Sequence, residues 1–248
     1  MEAERPNARP GEEEPEYEKL SALAIVRNAE PRDALVIAQI LAQAFPALYR
    51  GTFGSHRQAR IVALLKALYD AGHLSLTDTR VCEISGRVTA VMILHTGLRI
   101  GRKSPRDFWR LLWTRFGLLH APRMFVGGIM ANLMLDRRIP RAADLVYIEA
   151  LAVAEPYRGQ GLGSMLLADA EQWALSHGRS RLALHVLANN LAARRLYERT
   201  GFRPWTRGPR QPHEPGSRST SPWTAIPMVR TLRLEPQDGL NQPRLPEP

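Results

Sequence analysis

The segment Arg158-Gly159-Gln160-Gly161-Leu162-Gly163 constrains this chain more than any other. An apolar run, Leu145 to Val153, precedes it, and a helical pattern follows it to about His177. Strand, glycine turn and helix make an arrangement that cradles phosphate. Glycines let the backbone approach an anion closely, and the first amides of a helix have no intrahelical partner. Those amides and the positive end of the helix dipole favour a pyrophosphate. Glycine patterns alone are weakly specific. Here an apolar strand precedes the pattern, and a second ordered segment, Asn190 to Phe202, follows it.

Other features bound the reading. A chain of 248 residues is long enough for one large domain or two small ones. Its single cysteine, Cys82, excludes an internal disulfide and supplies no metal cluster, and reads as a small buried strand residue. No signal peptide is evident at the N-terminus. The longest apolar run, Met124 to Leu135, is too short for a membrane helix and is broken by Gly127, Gly128 and Asn132. A cytoplasmic protein is therefore expected. Charge is uneven. Residues 1–20 hold seven acids against three bases, whereas the whole chain carries a formal charge of +10. A basic body suits an anionic ligand such as a phosphorylated cofactor, though also nucleic acid, a membrane surface or simple solubility.

The acidic residues 1–20 read as a disordered tail. Ala22 to Asn28 is a strand, and Pro31 opens an amphipathic helix ending near Phe45. Gly51 to Gly54 is a break. Ser55 to Ala71 is a second helix with Ile61, Leu64, Leu65 and Leu68 on one face. Arg80 to Ile84, the turn Ser85-Gly86 and Arg87 to Leu94 form a hairpin. Residues 98–142 are helical, basic and aromatic. Leu145 to Val153 and Arg181 to Leu187 are strands on either side of the turn and its helix. Ala192 to Arg199 is a short helix closed by Gly201 as a left-handed cap. Phe202 to Trp205 starts a strand, 206–222 is a polar loop, Ala225 to Leu234 is the last strand, and 235–248 is a proline-rich tail.

This order of elements, with these motifs, resembles the GCN5-related N-acetyltransferase superfamily over about residues 22 to 234. The family signature is glutamine or arginine, two residues, glycine, one residue, then glycine or alanine; here Arg158, Gly161 and Gly163 fill it. Pro156-Tyr157 fits the usual lead-in. Asn190, Ala193, Leu196-Tyr197 and Gly201-Phe202 resemble a second signature, and Pro227 to Arg230 resembles the closing strand. The resemblance implies an α/β fold over 21–234: a mixed, mostly antiparallel central sheet of six to seven strands, flanked by helices, with a splayed central pair. It implies acetyl-coenzyme A as donor, an amine as acceptor and no metal. The amides of Gly159, Gln160, Gly161, Leu162, Gly163 and Ser164, beside Arg158, would cradle the pyrophosphate. The pantetheine arm would pair along Leu151, Ala152 and Val153, with Asn190 nearby.

Three residues are candidates for the chemistry. An aliphatic amine has a pKa of about 10 and must lose a proton to attack a thioester. Tyr197 occupies the tyrosine of the second signature, which serves as general acid in many relatives, or else its ring only packs under the cofactor. Glu149 is a lone carboxylate in an apolar strand, costly unless paired, hydrated or used. Strict alternation puts it with Leu151 and Val153 on one face, and Ile148 and Ala150 on the other. Some relatives carry a base there; a structural ion pair is the other reading. His185, on the next strand, competes for the role. In relatives that acetylate ribosomal proteins the matching position often holds glutamate, from which this chain departs. The two can act together if the strands put them on one face.

The acceptor is open. Phe108, Trp109, Leu111, Leu112, Phe116 and Leu119 cluster along one side of the 98–142 segment beside many arginines. That segment reads as a lid over an acidic or apolar acceptor, as a membrane-surface helix, or as an insertion packed on the core. Two rivals to catalysis stand: a coenzyme A-binding module without turnover, and a basic nucleic-acid-binding protein, which lacks any reading motif. Neither specific nucleic acid nor a transmembrane segment is expected, and the oligomer is a monomer or homodimer.

Overall fold

A computed structural model describes residues 23–45, 58–70, 75–96, 106–107, 109–114, 117, 142–205 and 225–233. The acidic tail, the Gly51 to Gly54 break, most of 98–142, the 206–222 loop and the proline-rich tail lie outside the described residues.

Seven strands form one sheet: β1 (Ala24–Asn28), β2 (Thr79–Ile84), β3 (Arg87–Thr96), β4 (Leu145–Val153), β5 (Arg181–Leu187), β6 (Arg203–Pro204) and β7 (Ala225–Thr231). Their order is β1-β2-β3-β4-β5-β7-β6. Every neighbouring pair is antiparallel except β4 and β5. Among the described residues these helices flank the sheet: α1 (Ala34–Ala44), α2 (Gln58–Asp70), α3 (Leu162–Ser176) and α4 (Leu191–Arg199). The β4–α3–β5 unit is a parallel crossover, whose strands need a long connection, supplied here by α3.

The helices take opposite faces. Leu166, Leu167, Ala170 and Ala174 of α3, with Tyr197 of α4 and Phe202, pack on Met92, Leu94, Ile148 and Leu184. Ile37 and Leu41 of α1, with Ile61, Leu65 and Tyr69 of α2, pack on Val81, Val91 and Ile93. Leu166 and Leu167 are fully buried, and each contributes about 2 kcal/mol of apolar burial. Cys82 is buried in the α3-side core, and burial pushes its thiol up.

Most predicted elements stand where expected, with local differences. Pro31–Asp33 forms a 3-10 turn before α1 begins at Ala34. Asp33 is 7% exposed and takes hydrogen bonds from Arg27 at 2.6 and 3.1 Å, and from the Glu30 amide at 2.8 Å. These bonds hold that turn in place of the first α-helical turn. The hairpin turn has positive φ at both Ser85 (49°) and Gly86 (78°), the tight geometry that matches strand twist. The predicted Phe202 to Trp205 strand is reduced to β6, and the last strand ends at Thr231. Residues 109–114 are helical, as expected, with Trp109 and Trp113 rings 5.5 Å apart. Phe108, Phe116 and Leu119 lie outside the described residues.

Candidate active site

β4 and β5 pair only from Leu145↔Arg181 to Ile148↔Leu184. Both strands continue, β4 to Val153 and β5 to Leu187, without pairing to each other. This is the expected splay. The joined end is clamped: Asp144 accepts from Arg181 Nε and Nη2 at 2.7 Å each, and from the Ser180 hydroxyl at 3.1 Å. The Asp144 carbonyl accepts from the Ser180 and Arg181 amides. The Arg181 hydrogen bond holds the Asp144 carboxyl down at about 2. Along the splayed stretch, one edge of β4 is taken by β3, through Met92↔Leu151, Val91↔Ala152 and Ala90↔Val153. The other edge faces the gap and offers backbone groups of Leu151, Ala152 and Val153 to an extended, amide-bearing chain.

The glycine turn sits at the far end of that gap. A 3-10 turn, Glu155–Tyr157, leads into it. Arg158 Nε donates to the Val153 carbonyl at 3.1 Å, and Gln160 Nε2 to the Pro156 carbonyl at 3.0 Å. The signature arginine and Gln160 therefore brace the turn. Gly159 and Gly161 have φ of 80° and 81°, where any side chain is strained. A Cβ at either would meet nothing within 4 Å, so backbone conformation selects glycine there. At Gly163 the reason is space, since a Cβ would stand 3.0 Å from Leu196 and 3.7 Å from Leu151. The first-turn amides of α3, at Leu162 and Gly163, face out of the helix end. Those of Ser164 and Met165 already donate to the Gly161 carbonyl, so Ser164 offers no free amide to a phosphate.

Asn190 caps α4, its Oδ1 accepting from the Ala193 amide at 3.2 Å. That fixes where α4 starts at the mouth of the gap. Tyr197 is 7% exposed and lies in the α3-side core, its ring edge-on to Phe202. Burial pushes its hydroxyl up to about 12. Gly201, at φ 89°, closes α4 with Phe202 N–H donating to the Tyr197 carbonyl at 2.9 Å.

Glu149 departs from strict alternation. β3 pairs Ile93 with Ala150 but Leu94 with Ile148, so Glu149 is the extra residue of a β-bulge. The bulge resets the faces. Leu151 and Val153 join Ile148 on the α3 side, whereas Ala150 and Ala152 pack towards α1 and α2. The predicted grouping of Glu149 with Leu151 and Val153 is thus wrong. Its carboxylate turns instead to His95, which lies on the α1/α2 side, and is hydrogen-bonded through Oε2 to His95 Nε2. The side chain is 44% exposed, so the bulge lifts it out of the apolar ladder.

His185 alternates with the core residues Leu184 and Val186 and so shares the face of Glu149. Its Nδ1 is 3.0 Å from the Tyr147 hydroxyl. His95 and Tyr147 are directly paired across strands. His95, Tyr147 and Asp78, whose Oδ2 lies 3.9 Å from His95 Nδ1, escaped the sequence reading. Tyr69 adds a hydroxyl on α2, 3.4 Å from Thr79 Oγ1; burial, with a smaller push from the Glu149 charge, raises it to about 12. Among the described residues no cluster of three or more His, Cys, Asp or Glu is arranged to hold a metal, and no helix is long and apolar enough to cross a membrane.

Residues 94–202 match the Acetyltransferase (GNAT) family. The chain is 48% identical over 56 residues to an uncharacterized N-acetyltransferase of Bacillus subtilis, YycN, covering 23% of this chain and 36% of that one. It is 34% identical over 109 residues to mycothiol acetyltransferase of Corynebacterium aurimucosum, covering 44% and 34%. It thus spans about a third of the length of these curated relatives. An N-acetyltransferase structure from Staphylococcus aureus Mu50 shares the fold, with TM-score 0.56 and 18% identity over 84% of this chain and 100% of that one.

Proposed function

We propose that this chain, which belongs to the GNAT acetyltransferase family, transfers an acetyl group from acetyl-coenzyme A to an amine. The observation that carries the reading is the splay of β4 from β5, with the glycine turn at its far end and Glu149 and His185 on one face beside it. Acetyl-coenzyme A supplies an activated thioester; everything else is asked of the chain. The turn from Gly159 to Gly163 receives the pyrophosphate, and the free edge of β4 receives the pantetheine amides. Arg158, engaged with Val153, keeps the turn at that strand end.

Two faces of the sheet contribute. On the α1/α2 side, Glu149 accepts the proton lost by the amine, directly or through water, while the nitrogen lone pair forms the new C–N bond. His185, held by Tyr147, is the alternative acceptor on the same face. On the α3 side, Tyr197 stays protonated far above neutral pH and donates to the departing sulfur. A backbone amide of β4 at the gap holds the developing oxyanion. Proximity supplies much of the rest.

Release of free thiol from acetyl-coenzyme A against a panel of amines and amine-bearing peptides tests this. Wild-type protein is expected to turn over at least one acceptor, and Glu149→Gln to be slow at neutral pH and faster at high pH, where free amine accumulates. Tight coenzyme A binding with no turnover on any acceptor would favour a binding module. Normal turnover of Glu149→Gln with slow His185→Gln would move the base to His185.

A further inference from the structure

The bulge turns Glu149 towards one particular side chain. His95 ends the apolar run of β3, Asp78 lies just before β2, and Glu149 stands on the bulge of β4. The three form a line across the sheet. Asp78 Oδ2 lies 3.9 Å from His95 Nδ1, and Nε2 on the far side of the ring is hydrogen-bonded to Glu149. Glu149 fixes the ring through Nε2, and Asp78, too far for a hydrogen bond, adds a negative charge on the Nδ1 side that favours the protonated ring, in which both nitrogens donate.

We infer that His95, backed by Asp78, is the positioning residue that fixes the Glu149 carboxylate beside the splayed gap. This rests on the reading of Glu149 as base. A glutamate side chain that is 44% exposed has several rotamers open to it, and holding one costs conformational entropy. A bulge residue also lacks the ladder contacts that hold its neighbours. His95 supplies the missing constraint. Its backbone is registered against Tyr147, two residues before Glu149, so ring and carboxylate belong to adjacent strands at one level of the sheet. His95 acts through Glu149 and moves no proton in the transfer: the amine N–H bond breaks and the Glu149 O–H bond forms, while the nitrogen lone pair makes the C–N bond and the thioester C–S bond breaks to release the thiolate.

The titratable groups around this line are Asp78 before β2, Tyr69 on α2, Tyr147 and Glu149 on β4, and His185 on β5. A carboxylate that loses a hydrogen-bond donor is more easily protonated. His95→Ala is therefore expected to lower kcat on the order of a hundredfold, with little change in KM for acetyl-coenzyme A, and to move the acidic limb of the kcat/KM profile to higher pH. His95→Gln keeps an N–H donor near the position of Nε2 and is expected to recover part of both. Asp78→Asn is expected to give a smaller loss with the same direction of limb shift.

A second measurement needs no acceptor. The imidazole nitrogens of His95, followed by 15N NMR in the free protein, are expected to titrate at lower pH in Glu149→Gln than in wild type. An unchanged titration would overturn the pairing, whether or not any amine is acetylated. A full-strength pairing by NMR with an unmoved limb in His95→Ala would overturn the positioning role. Failure to find any acceptor, with the pairing intact, would count against the base assignment on which the inference rests, and not against the contact.

Discussion

Tyr197 is buried, whereas the Glu149 side chain is 44% exposed. Tyr197 is enclosed by the α3-side core and raised to about 12 by that burial. It is a hydrogen-bond donor at every working pH and a reluctant proton donor. Tyr197→Phe keeps the ring against Phe202 and removes only the hydroxyl. Turnover is expected to fall by about one to two powers of ten, with coenzyme A affinity nearly unchanged, by steady-state kinetics and calorimetry. Retained turnover would make the ring structural. Tyr197 was legible because a second signature surrounds it. His95 was not, since a histidine at the end of an apolar strand carries no pattern, and only the fold brings it to Glu149. Asp78 stood in a connecting segment with no spacing to mark it.

Among the elements, the glycine turn and the bulge differ in what they reveal in advance. Glycine announces a left-handed backbone, and Gly159 and Gly161 have it. The bulge at Glu149 has neither glycine nor proline, so counting residues two by two runs through it and assigns every later side chain to the wrong face. The strands, helices and hairpin turn were legible from period and punctuation. The parity of β4 was set by pairing with β3, a long-range contact. At the turn, Gly161→Asp forces a side chain onto a backbone at φ 81° and adds a negative charge at the proposed pyrophosphate site. Coenzyme A affinity by calorimetry is expected to fall by at least tenfold while circular dichroism keeps the folded spectrum. Unchanged affinity would place the phosphates elsewhere.

For the molecule as a whole, acid sensitivity follows from its buried and clamped carboxylates. Burial works to raise Asp33, but the Arg27 hydrogen bond, the Glu30 amide and the charges of Arg27 and Arg32 outweigh it and hold it below the ordinary range. A depressed carboxyl contributes stability that is complete above its unfolded value, about 3.9, and is lost as pH falls through the folded value. Asp33→Asn is therefore expected to cost on the order of 3 kcal/mol at neutral pH, measured by urea unfolding. Part of the difference from wild type should close as pH falls below about 4 and through the folded value. A constant difference across pH would mean packing, not charge, is lost. The clamp at Asp144 and Arg181 titrates in the same direction, and its place in the sheet gives it a mechanical meaning. β4 and β5 are two arms of a pair of tongs, joined at Leu145 to Ile148 and parted beyond. From Glu149 to Val153 the free arm is roughly 16 Å long at about 3.3 Å per residue. A rotation of about 3–4° at the pivot then moves the tip by about 1 Å, a misplacement that can cost about a hundredfold in rate. On the proposed reading, the Asp144 carboxylate at the joined end thereby sets the width of the slot that receives the thioester.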